Sequence, residues 1–126
     1  MIVGLGIDVA SIERMRSALE RHGERLWDRI LTPAERADLA HLRGDRAVAL
    51  AGRFAAKEAF SKALGAPRDV WFQDVEVRRD PDGAPRLTWS GPAERRARER
   101  GVSRGLLSIT HDAGVAAAVV ILEGAS

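Results

Sequence analysis

The chain has 126 residues, 45% hydrophobic and 30% charged, with a formal net charge of +2. This is the balance of a soluble globular protein, and the length fits one domain over residues 1–126 with a modest core; a site for a large ligand is then expected to borrow a neighbouring subunit. The figures exclude a membrane span, since the longest apolar run, Val115 to Leu122, is far short of the ~20 residues required. The start lacks signal-peptide features, and the absence of cysteine removes disulfide and thiol chemistry and fits a cytoplasmic address.

In chain order, Ile2 to Val9 alternates loosely and reads as a strand. Ser11 can cap a helix carrying Ile12, Met15 and Leu19 at helical spacing. Gly23 interrupts, and Glu24 to Leu31 reads as a second helix. Thr32-Pro33-Ala34-Glu35 is a capping box with proline in the first turn, opening a third helix to about Leu42. Asp45 caps a long helix ending near Leu64, with Gly65 as its stop. Asp74 to Arg79 and Arg86 to Trp89 form a hairpin around the turn Asp80-Pro81-Asp82-Gly83. Ser90-Gly91-Pro92 opens a helix that ends at Gly101. Leu106 to His111 and Val115 to Leu122 form a last hairpin. The order predicts an α+β fold with a small antiparallel sheet packed on a long helix and shorter helices.

Basic residues are unevenly chosen: 18 Arg against two Lys, and both lysines, Lys57 and Lys62, lie in the long helix. An ammonium is a compact charge whose proton can be tuned, unlike guanidinium, so this segment points to chemistry. Glu58 and Lys62 share a helix face, which by itself reads as a solvated pair worth about 0.3–0.5 kcal/mol. The surrounding Ala55, Ala56, Ala59 and Ala63 make the helix slim and open to close approach. Asp8 lies inside an apolar strand, where carboxylates are depleted. It either caps the next helix, points to solvent or joins Glu58, and two hard carboxylates with phosphate oxygens and waters suit Mg²⁺. Lys62 would then neutralise a phosphate leaving group. His111, at a strand end, is either structural or a phosphate and proton partner. Arg14, Arg21 and Arg25 follow helical spacing, in a segment with five Arg and four acids between Ser11 and Ile30. They read as a mixed solvated face or as a docking stripe for an acidic protein.

Three segments together resemble the small holo-acyl-carrier-protein synthases, a 4′-phosphopantetheinyl transferase family: Gly6-Ile7-Asp8-Val9 followed by Arg14; the block Leu50-Ala51-Gly52-Arg53-Phe54-Ala55-Ala56-Lys57-Glu58-Ala59-Phe60-Ser61-Lys62-Ala63-Leu64-Gly65; and Ser108-Ile109-Thr110-His111. The resemblance implies that family's α+β fold and a homotrimer with active sites between subunits. It implies Mg²⁺ on Asp8 and Glu58, coenzyme A as donor and a serine of apo acyl carrier protein as acceptor, in support of fatty acid biosynthesis. Catalysis would fall to Glu58, Lys62, Asp8 and His111. Donor contacts would come from Arg53, Lys62, Arg46, Ser108, His111 and the turn holding Gly83 and Pro85, where Asp82 stands in place of the family's usual Asn. Arg14, Arg21, Arg25 and Phe54 would meet the carrier.

Two other readings compete. A small arginine-rich domain could grip nucleic acid, but its charges are interleaved and no aromatic ladder accompanies them, so neither nucleic acid nor membrane is expected as a partner. A Mg²⁺-dependent hydrolase could cleave the same pyrophosphate to water; its product would be free phosphopantetheine rather than a heavier carrier.

Overall fold

A computed structural model describes residues 1–125. Its elements are β1 (Ile2–Ser11), α1 (Ile12–His22), α2 (Glu24–Ile30), α3 (Pro33–Leu39), α4 (Arg46–Ala63), β2 (Val75–Arg79), β3 (Pro85–Trp89), α5 (Gly91–Glu99), β4 (Val102–Asp112) and β5 (Val115–Gly124), with a 3₁₀ turn at Phe72–Asp74. The α+β class is as expected. The strands divide into two antiparallel sheets, β1-β5-β4 and β2-β3.

The caps behave as their residue types dictate. Ser11 accepts from the Arg14 backbone N–H and Asp45 from that of Ala47, while Thr32 and Glu35 complete a reciprocal capping box. Several boundaries differ from expectation, most by one or two residues. The third helix stops at Leu39 rather than Leu42, because Leu42 finds no core to enter and stays 40% exposed. Asp74 closes the 3₁₀ turn by accepting from the Trp71 N–H instead of opening the strand. The last hairpin starts earlier, at Val102, because β5 is long enough to pair the whole of β4.

One packing decision positions the site. Gly4 and Gly6 of β1 face α4 so closely that a Cβ on either would run into the Ala63 and Ala59 carbonyl oxygens. The slim helix predicted from its alanines is therefore met by an equally slim strand: Ala51, Ala55, Ala56, Ala59 and Ala63 are all buried. This contact turns the larger residues of β1 outward. Leu5, Ile7 and Val9 are 65%, 63% and 59% exposed, and Leu106 and Val115 add to the apolar surface. Next to Ala59 on α4, Phe60 stacks on Trp89 with ring centroids 5.3 Å apart.

Candidate active site

Because β1 alternates, Asp8 shares the inward face with Gly4 and Gly6 and meets α4 beside Lys62. The Lys62 ammonium donates to Asp8 Oδ1 at 2.9 Å and to the Ile7 carbonyl at 3.1 Å. Glu58, one turn earlier on α4, completes the cluster. Burial, and after it the Asp8 charge, raises the Glu58 pKa above the usual carboxylate value; Lys62 opposes this. Lys62 pairs with Asp8 and reaches Glu58 only as a nearby charge, so two carboxylates face one ammonium and one negative charge is in surplus. Asp8, Glu58 and Lys62 come together as expected.

The residues present fit a magnesium ion. Asp8 and Glu58 offer two hard oxygen ligands with surplus negative charge; among the described residues no group of three or more His, Cys, Asp or Glu gathers anywhere, so the rest of an ion's shell would have to come from water and substrate. A cation held by two carboxylates, with water and substrate phosphate filling the rest of its shell, is the arrangement Mg²⁺ favours.

Lys57 has a different role from the one its sequence position suggested. Its Nζ donates to Glu35 Oε1 at 2.6 Å, to the Ile30 carbonyl at 2.6 Å and to the Phe72 carbonyl at 3.0 Å. Glu35 also accepts from the Thr32 and Val77 N–H groups. Desolvation lowers the Lys57 pKa, and the Glu35 charge is the main force against it. Every ammonium proton is used inside the protein, so Lys57 ties α4 to α2, α3 and the 3₁₀ turn, with Glu35 extending the network to β2, and has no donor left for a ligand. Glu35 was legible in the sequence only as a capping residue.

The other candidate positions form a second region along α4 and β4. A cavity of about 430 Å³ is lined by Arg53, Arg79, Asp45, His111 and apolar residues of α3 and α4. Arg53 is only 6% exposed, yet its Nε has no hydrogen-bond partner. Desolvation lowers its pKa, with Glu35 and Asp38 partly compensating. A buried guanidinium left short of acceptors is a place for an anion. Arg79, which no sequence signal marked, joins the cavity and donates to the Gly83 carbonyl at 2.9 Å, so the turn bearing Gly83 is tied to the cavity wall. Asp82 accepts from the Ala84 N–H at 3.2 Å and shapes that turn itself. Pro85 lines a larger open groove between β3 and β4.

Three positions stand apart. Ser108 pairs with Val119 and is exposed on the outward sheet face, opposite to His111. Arg46 pairs with Glu24 at 2.9 Å and lies 4.0 Å over the Trp27 ring, outside the Arg53 cavity. Phe54 is half-buried against Phe72. Within one chain, Glu58 and His111 line separate cavities. On α1 and α2, Arg14, Arg21 and Arg25 are exposed and have no ion-pair partner among the described residues, whereas Arg16 and Arg46 are neutralised by Asp45 and Glu24.

The chain matches the model of the 4′-phosphopantetheinyl transferase superfamily over residues 4–120. It is 51% identical to a holo-[acyl-carrier-protein] synthase of Streptomyces griseus, over 98% of this chain and all of that one. The crystal structure of a holo-[acyl-carrier-protein] synthase from Neisseria meningitidis superimposes with a TM-score of 0.88 at 35% identity, covering 98% of this chain and 99% of the other. The Bacillus anthracis synthase, solved in complex with CoA (3′,5′-ADP), gives 0.81 at 40% identity, with 99% of both chains covered.

Proposed function

This chain belongs to the 4′-phosphopantetheinyl transferase superfamily, and from that premise we propose that it moves the 4′-phosphopantetheine group of coenzyme A onto a serine of apo acyl carrier protein, releasing 3′,5′-ADP. The observation that carries the reading is the Asp8–Lys62–Glu58 cluster, in which a strand carboxylate and two helix side chains converge with surplus negative charge.

Asp8 and Glu58 would hold Mg²⁺, which when bound supplies charge neutralisation on the phosphoryl oxygens. The donor's nucleotide end, with its phosphates, suits the cavity where buried Arg53 lacks an acceptor and where Arg79 and His111 stand. The carrier serine oxygen attacks the phosphorus nearer the pantetheine and gives up its proton to a carboxylate. The bond from that phosphorus to the bridging oxygen breaks, and Lys62 offsets the charge gathering on the departing 3′,5′-ADP. Arg14, Arg21 and Arg25 form the carrier-docking face, and their exposed charges suit an acidic partner; Phe54 is the apolar residue the family resemblance adds to that contact.

The working unit in this reading is a homotrimer. The apolar outward face of Leu5, Ile7 and Val9 needs cover, and the Arg53–His111 cavity is separate from Glu58 within one chain. A neighbour that covers the face could bring one subunit's cavity, along with Ser108 and the Gly83–Pro85 turn, to another's catalytic cluster. The whole chain acts as a single transferase domain in the cytoplasm, in support of fatty acid biosynthesis.

Mass spectrometry of apo carrier protein incubated with coenzyme A and the enzyme tests the proposal. A carrier heavier by one phosphopantetheine arm, formed with Mg²⁺ and not with a chelator, is the expected result. Free phosphopantetheine with an unchanged carrier would instead identify a hydrolase.

A further inference from the structure

Beside Glu58 lies an apolar slot of about 220 Å³ that the mechanism leaves unused. Glu58, Ser61 and Lys57 bound it on the α4 side, and Val70, Trp71, Phe72 and Val75 face them. Its far wall is pinned. The Phe72 carbonyl accepts from Lys57, Gln73 Nε2 donates to the carbonyls of Asp28, Arg29 and Leu31, and the Trp71 N–H is held by Asp74 at 2.9 Å. On this fixed backbone the Trp71 indole is 65% exposed. A tryptophan doing core work buries about 150–250 Å²; at this exposure Trp71 contributes little to the core. What remains is a rigid apolar surface held beside a reactive carboxylate.

We propose that this slot receives the branched, dimethyl-bearing end of the pantetheine arm and that Trp71 closes over it, making Trp71 a donor-binding residue. The inference rests on the transferase reading. In the arm, the phosphate ester is followed at once by a compact quaternary carbon with two methyl groups; beyond it the chain is extended and carries amides. Drug-sized ligands occupy pockets of roughly 300–1,000 Å³, so a 220 Å³ slot suits the compact head and not the whole arm. Because that head is joined through a short ester link to the phosphorus under attack, a donor reacting at Glu58 must place it next to Glu58. An apolar side chain of the carrier has no such constraint.

The test uses the three-tryptophan chain with coenzyme A, with 3′,5′-ADP, which lacks the arm, and with apo carrier. Coenzyme A is expected to shift the tryptophan emission, and 3′,5′-ADP and apo carrier are not. Trp71→Ala loses the shift and raises the KM for coenzyme A about tenfold, a loss of about 1.4 kcal/mol, with carrier KM and 3′,5′-ADP affinity unchanged. Trp71→Phe loses the shift but restores the KM. Equal shifts with coenzyme A and 3′,5′-ADP overturn the inference. So does a shift on adding carrier alone, or a smaller assembly of Trp71→Ala by light scattering. If 3′,5′-ADP binds normally by calorimetry and Trp71 stays silent to coenzyme A, only this inference falls; if 3′,5′-ADP does not bind, the transferase reading falls with it.

Discussion

Two lysines on one helix face opposite fates. Lys57 is buried, with one carboxylate and two carbonyls consuming its protons. Lys62 is half-exposed and pairs with Asp8, while burial and then the Asp8 charge raise the Glu58 pKa against its opposing pull. The first network is complete and the second is not. A closed set of charges inside a protein holds elements together, whereas an open set with surplus charge at the surface is available to a ligand. The difference arises from helix position: Lys57 points to the packed side toward α2, α3 and β2, and Lys62 toward the edge where β1 leaves α4.

That contrast can be broken experimentally. Lys57→Ala leaves Glu35 charged and buried without its ammonium, and should cost about 3–5 kcal/mol, seen as a Tm lower by about ten degrees or more. Lys62→Ala should leave Tm close to wild type. Should the two variants lose equal stability, the division between a structural and a functional lysine fails.

Glu58→Gln should do the reverse, lowering kcat by about 10²–10³-fold in the carrier mass-shift assay while the fold is kept. The sign of its stability effect follows from the raised pKa. The folded chain binds the Glu58 proton more tightly than the unfolded chain, so stability is lost as pH rises from the ordinary glutamate range through the raised value. Glutamine does not titrate. The variant should therefore be at least as stable as wild type at neutral pH, with the gap closing in acid, as thermal melts across pH would register.

Gly6→Ala probes how the open cluster is positioned. Its Cβ meets the Ala59 carbonyl, part of a helix backbone that cannot step aside. A cost of about 1–3 kcal/mol is expected, together with reduced transfer, because β1 carries Asp8. Wild-type turnover in a folded Gly6→Ala would show that the β1–α4 approach does not set the Asp8 position. The smallest effect belongs to the outlying charges: Arg14→Ala with Arg21→Ala should raise carrier KM about fivefold and flatten its salt dependence, leaving the KM for coenzyme A alone. An unchanged carrier KM removes the docking face.

Much of the fold was legible because its signals are local. Ser11, Thr32 with Glu35, and Asp45 each satisfy helix N–H groups within a few residues, and Gly65 ends α4 with a positive φ of 92°. Asp8, Glu58 and Lys62 were also readable, since an acid in an apolar strand and a lysine in an arginine-rich chain are anomalies of composition. Other features depended on which surfaces met. Leu5, Ile7 and Val9 look like core from their apolarity, but the glycines between them are what the helix accepts, so the larger residues face out. Lys57 and Lys62 are alike in sequence, and only packing against Glu35 separates them. Arg79 carries no mark along the chain; β2 brings it beside Arg53 and His111. The order and type of the elements, their caps and the anomalous Asp8, Glu58 and Lys62 could be read along the chain, because each depends on backbone geometry or residue type. Tertiary structure alone decided which charges are closed off and which stay open, because burial and partner count are properties of contacts between distant segments.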